Sequence, residues 1–240
     1  MEPKNIDDDR LLLTGDEAKH LAQAVRAKPG DVFYAIDGTG LKYRAVVSSI
    51  GRTGVNCIIT NTTRLENEPF TQLTLAQGIC RPSKMDEIVE RGTEIGVSSF
   101  VFYFSEKTYS RAQESLSGRK LTRLHRIARA AAKQSKRSII PAVGSLISLG
   151  DVISLRAQHD LSLLATANNL SKSVTNYLDV SRPPKKVLLL VGPESGLTDP
   201  EEAGCLAAGF LPTSLGPRRL RTETAGIIFP ALILQLLGDL

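Results

Sequence analysis

The chain has 240 residues, 42% of them hydrophobic and 23% charged, enough for one large domain or two modest ones with a substantial buried core. A formal net charge of +5 is compatible with a polyanionic partner, and three well-separated cysteines without a CxxC pair argue against a disulfide framework. The three histidines are scattered with no second ligand at metal spacing, so no metal site is expected.

The opening segment, Met1–Arg10, is polar and acidic, unlike a secretory signal or an Arg-rich transit peptide. Arg10–Thr14 reads as a short strand. Gly15–Val25 reads as a short helix whose early acids, Asp16 and Glu17, suit the positive end of the helix dipole. Pro29-Gly30 marks a turn. Strands Val32–Ile36 and Leu41–Ile50 then flank Asp37-Gly-Thr-Gly40, a strong hairpin signal. A further turn at Gly51–Gly54 precedes the strand Val55–Thr60. The polar stretch Asn61–Pro69 is the expected linker, dividing the chain into a small, mostly β unit at 1–68 and a second unit at 69–240.

From Thr71 the pattern alternates between β and α. Leu73–Ile79 is a strand candidate. Pro82 suits the first turn of a helix in which Met85, Ile88, Val89, Gly92 and Ile95 fall at helical spacing. Phe100–Phe104 follows as a strand, Gly118–Arg137 as a helix, and Leu161–Ala165 and Leu188–Val191 as strands. Thr198-Asp-Pro-Glu201 fits a capping box. Phe210–Leu215 is the last strand and Thr222 opens the last helix. Pro230 should kink or break that helix, because proline cannot donate to residue 226. Strands alternating with helices predict an α/β domain with a parallel sheet covered on both faces.

Apolar residues cover nearly the whole circumference of the last helix between Ala225 and Leu237. Such a helix is buried on all sides, either by a second subunit or by the chain's own core, and a homodimer is expected on this ground. Interrupted by Pro230 and Gln235, the stretch is too short to span a bilayer. A cytoplasmic protein with no membrane partner is therefore expected.

Two segments concentrate the features of a site. Val187–Leu197 and Leu215–Ala225 each read as a buried strand running into a glycine-containing turn and then a helix, so two turns of one sheet would face one crevice. Neither turn is a GxGxxG fingerprint or a Walker loop, and Pro193-Glu-Ser-Gly196 is not a hydrolase elbow. Arg218, Arg219, Arg221 and Glu223 lie beside the second turn, where an arginine can clamp a phosphate or stabilise a developing anion. Thr222 can cap the last helix. Upstream, Gly118–Arg137 carries eight Lys and Arg residues, with no acid between Ser115 and Gly150. Arg119, Arg123, Arg126, Lys133 and Arg137 form one stripe opposite Leu121, Leu124, Ala128 and Ala131. That stripe is either a solvated face or the electrostatic footprint of a nucleic-acid protein.

Four segments, Arg81–Val97, Ala131–Arg137, Val191–Gly196 and Leu215–Ala225, resemble in order and spacing the motifs of the RsmE family, ribosomal RNA small-subunit methyltransferases of the SPOUT superfamily. Gly30-Asp-Val-Phe33 with Asp37-Gly-Thr-Gly40 is similar to that family's PUA-like RNA-binding domain, so the resemblance covers nearly the whole chain. It implies an α/β SPOUT domain with a C-terminal trefoil knot and a PUA-like β-barrel domain ahead of it. It also implies a homodimer, S-adenosylmethionine held by three loops, and methyl transfer to N3 of a uridine in 16S rRNA of the small ribosomal subunit. Carried over, the cofactor loops fall on Ala165 and Thr166 (with Ala167), on Val191, Gly192, Glu194 and Gly196, and on Leu215, Gly216 and Leu220. RNA contact is expected, apart from that carry-over, at Arg26 and along the basic stripe of Arg119, Arg123, Arg126, Lys133 and Arg137. Two departures stand out: Ser195 replaces a glycine of the family's GPEGG, and the acidic opening replaces its aromatic and basic start.

A neutral uracil is a poor nucleophile at N3, so either a base or a cation that stabilises the uracil anion is needed. The resemblance points to Arg221 as the cation. Glu223 either removes the proton or orients Arg221. Two alternatives remain, a SPOUT enzyme for another rRNA or tRNA nucleotide and a non-catalytic RNA-binding assembly factor.

Overall fold

The computed structural model describes residues 5–108, 118–166 and 171–240, which divide into two compact units. The first comprises 1–68 together with 132–140, and the second 69–131 together with 141–240. The segment 132–140 is thus a second contribution to the first unit, beyond the single division expected at residue 69.

The first unit is a five-stranded antiparallel sheet of β1 (Ile6–Asp7), β2 (Arg10–Leu13), β3 (Val32–Ile36), β4 (Leu41–Ile50) and β5 (Val55–Arg64), in the order β1-β2-β5-β4-β3. Alternation along β2, β4 and β5 buries Leu11, Leu13, Tyr43, Ala45, Val47, Val55 and Cys57 against Ala18 and Leu21. The latter two belong to α1 (Gly15–Lys19) and the π-turns His20–Ala24 that continue it. Asp37 builds the β3–β4 hairpin, accepting hydrogen bonds from the amides of Thr39 (2.8 Å) and Leu41 (3.1 Å). Part of the expected linker is structured, since β5 runs on to Arg64. Beyond it, Glu68 accepts from the amides of Ser138 and Ile139 at 2.8 Å each and from the Arg137 guanidinium at 2.8 Å. These bonds explain why 132–140 packs with the first unit.

The second unit is a seven-stranded parallel sheet of β6 (Gln72–Gly78), β7 (Ser99–Phe104), β8 (Ala142–Ser148), β9 (Leu161–Ala165), β10 (Lys172–Ser173), β11 (Lys186–Val191) and β12 (Leu211–Ser214), in the order β10-β12-β9-β11-β6-β7-β8. Strands covered on both faces need continuous apolar runs, and β11 supplies one, buried from Val187 to Val191. Its helices are α2 (Pro82–Ile95), α3 (Gly118–Gln134, in the second unit up to Ala131), α4 (Leu149–Leu155), α5 (Asp199–Ala207) and α6 (Thr222–Leu237). The expected capping box opens α5: the Glu201 amide donates to Thr198 Oγ1, and Glu201 accepts from the Thr198 amide. Asp239, beyond α6, accepts from the amides of Phe70 (2.9 Å) and Thr71 (3.0 Å), which lead into β6.

Three expectations are corrected here. Helix α6 is not broken at Pro230, which is buried with Phe229, Ile233 and Leu234, so packing outweighs the lost hydrogen bond. Thr222 is not the cap of α6: Arg221 is, without a side-chain cap bond, and Thr222 is the first helical residue. Helix α3 ends at Gln134, and Lys136 adopts φ 60°, which turns Arg137 away from any continuing stripe.

Candidate active site

Parallel strands end on one edge of their sheet, and ligands bind in crevices outside those ends. Here a cleft of about 1120 Å³ opens beyond the ends of β9, β11 and β12. The first wall carries Ala165 and Thr166. The Thr166 amide donates to Thr213 O at 2.9 Å, and its hydroxyl to Glu202 of α5 at 3.0 Å. Ala167 lies outside the described residues. The second wall carries Val191, Gly192, Glu194 and Gly196, the third Leu215, Gly216, Leu220 and Arg218–Arg221. Ala225 and Phe229 of α6 add an apolar side.

The second wall is braced from behind. The buried Tyr103 hydroxyl donates to Val191 O at 3.0 Å, and Lys107 Nζ donates to Leu197 O at 2.9 Å. A Cβ on Gly78 would lie 2.4 Å from Pro193 N, so the end of β6 and this turn meet backbone to backbone. Positive φ in the turn falls on Gly196 (71°) and not on Ser195, so serine is accommodated without strain. Thr222 Oγ1 donates to Gly192 O at 2.6 Å and accepts from Gln77 Nε2 at 2.8 Å, joining the second and third walls.

Charge around the cleft is organised by residues that sequence patterns did not single out. Lys84 of α2 lies 2.6 Å from Glu194 Oε1 and 2.9 Å from Glu223 Oε2, while Arg81 approaches Glu194 at 3.1 Å. The hydrogen bond from Lys84 holds the Glu194 carboxyl below its ordinary range against the opposing effect of burial. Burial pushes the Glu223 carboxyl up, but Lys84, a backbone amide and the charge of Arg221 outweigh it and leave the group below its ordinary value. Glu223 is therefore ion-paired to Lys84, a partner that neither expected role, proton acceptor or orienter of Arg221, included. Burial also pushes the nearby Cys80 thiol up to about 12.

The six residues expected to touch RNA divide. Arg26, Arg119 and Arg126 are exposed. Arg123 is exposed but holds Asp86 through two hydrogen bonds, at 2.7 and 3.2 Å. Lys133 pairs with Glu17. Arg137 is a correction: its side chain is 3% exposed and committed to Glu68, itself 5% exposed, so it cannot present a guanidinium to a phosphate.

Residues 66–234 match the family described as RNA methyltransferase domain, and residues 13–60 match RNA methyltransferase PUA domain. The ribosomal RNA small subunit methyltransferase E of Synechocystis is 31% identical over 236 residues, covering 98% of this chain and 76% of that protein. Its counterpart in Bacillus subtilis is 27% identical over 217 residues, covering 89% and 85%. A crystal structure of ribosomal RNA small subunit methyltransferase E from Neisseria gonorrhoeae bound to S-adenosyl methionine is similar with a TM-score of 0.83 and 26% identity, covering 98% and 95%. A putative methyltransferase from Legionella pneumophila, also in complex with that cofactor, gives 0.79 and 25% identity, covering 95% and 92%.

Proposed function

The chain belongs to the ribosomal RNA small subunit methyltransferase E family, and on that premise we propose that it methylates N3 of a uridine in 16S rRNA, using S-adenosylmethionine. Three strand-end loops converging on one cleft support this most directly, in a chain that matches a cofactor-bound relative along 98% of its length. The cleft suits the cofactor chemically. Its volume of about 1120 Å³ exceeds what a nucleoside needs, and Leu164, Ala225 and Phe229 offer apolar surface.

S-adenosylmethionine, when bound, supplies an activated methyl group, which leaves this chain to position the uridine and manage the N3 proton. Arg221 is exposed at the cleft and supplies the fixed cation that favours the uracil anion. Glu223 is ionised and tied to Lys84, which makes it a weak proton acceptor, and we assign it to positioning. Arg26, Arg119 and Arg126 serve the RNA backbone in this scheme. A homodimer belongs to the same scheme and is supported by Ile228, 46% exposed on a helix whose Ile227, Ala231 and Leu232 are also only half-buried. The trefoil knot belongs to it too, the segment after β12 lying against Gly192 through Thr222. The expected compartment is the cytoplasm.

The test is methyl transfer from labelled S-adenosylmethionine to small subunits lacking the modification, followed by nucleoside analysis. N3-methyluridine is the expected product. No transfer, or label on another base, overturns the assignment.

A further inference from the structure

We propose that Lys84 is a positioning residue that couples the cofactor turn to Arg221 by holding Glu194 and Glu223 on one ammonium group. The inference rests on the functional reading above, and takes that site one residue deeper.

Local chemistry gives Lys84 no reason to stand where it does. It is the third residue of α2, after the cap Arg81, and no acid lies in that first turn. A cation there opposes the helix dipole, so its benefit must come from elsewhere in the fold. Its side chain is 18% exposed, and the ammonium lies between two carboxylates from separate walls of the cleft. Glu194 belongs to the turn after β11. Glu223 is the second residue of α6, directly beyond Arg221 and Thr222. Arg221 is the N-cap of α6, with an extended backbone, so the start of α6 sets its backbone position.

Two carboxylates share one buried-side cation, with Arg81 reaching Glu194 from a position 74% exposed, Cys80 close by and Arg221 beside Glu223. Without Lys84, Glu194 and Glu223 become like charges facing each other, and the turn and the start of α6 repel. A displacement of about 1 Å at a reacting group can cost on the order of 100-fold in rate. The exposed pair Arg91–Glu94 on the same helix touches neither wall and carries no such consequence.

The experiment measures single-turnover methyl transfer at saturating S-adenosylmethionine, cofactor affinity, and the titration of the Glu223 carboxyl by carbon-13 NMR. Lys84→Met should lower the single-turnover rate by about 10- to 100-fold, and Lys84→Arg should restore most of it. Glu194→Gln should lower the rate even at saturating cofactor, because it frees the other end of the link. A loss of affinity alone in Glu194→Gln, with the saturated rate intact, overturns the coupling. Lys84→Met should also raise the Glu223 titration, and an unmoved titration overturns the proposal whatever the activity. Failure of the wild type to transfer methyl groups counts against the functional reading alone, and the titration still decides the link.

Discussion

The basic helix α3 and the turn before α6 are both rich in arginine, yet the fold uses them differently. Read along the chain, α3 has no acid near it and looks like open positive charge. In the structure Arg123 meets Asp86, Lys133 meets Glu17, and Arg137 just beyond the helix is buried on Glu68. Arg218, Arg219 and Arg221 are exposed and line the cleft. An absence of acids in the local sequence therefore says little about neutralisation, because the partners come from other elements. What distinguishes the arginines at the cleft is a glycine turn at the end of a parallel strand, where the backbone places them over a crevice.

Three experiments would break or sharpen that contrast. Arg137→Met leaves Glu68 buried without its counter-charge, held by the 138–139 amides and the Ser138 hydroxyl, and should destabilise the first unit by about 3 kcal/mol in denaturant unfolding. Unchanged stability with weaker RNA binding would return Arg137 to the RNA surface. Arg221→Ala should lower single-turnover transfer by about 100-fold with little change in cofactor affinity. An unchanged rate would remove the turn's claim to the chemistry. Smallest is the effect on salt dependence: Arg119→Ala and Arg126→Ala should each reduce the log–log slope of RNA binding by about 0.7, and Arg123→Ala and Lys133→Ala by less, since their charges are already met. The reverse order would show that the ion pairs open on RNA.

The strands that form the cleft were legible because both faces are covered: Leu188–Val191 is an apolar run, and Leu161–Ala165 is one but for Ser162, a pattern that no half-exposed strand needs. The Thr198–Glu201 box was legible because its partners lie three residues apart. Strand β8 and helix α4 escaped notice. Burial along Ala142–Ser148 follows neither period 2 nor a continuous run, although Ser148 and Asp151 form a capping box that could have marked the helix start. Within the site, the two glycine turns could be read directly. Lys84 could not be given a role, since its partners lie in segments far along the chain, and a cation in a helix's first turn was the one local sign. Pro230 misled for the opposite reason, a local rule overridden by burial on neighbouring helix turns.

Asp239 holds the amides of Phe70 and Thr71, and those residues lead into β6, which lies between β7 and β11. Translation delivers β6 early, β11 much later, and Asp239 later still. Until β11 emerges the strand has one flank bare, and until Asp239 does the two amides lack their acceptor. This makes the second unit a structure that closes only once its late segments have emerged, like a belt whose tongue and buckle are at opposite ends. A nascent chain stopped before β11 exposes the edge of β6, the kind of surface that chaperones shield and that aggregates when they do not, and one stopped before Asp239 still leaves the two amides unmet.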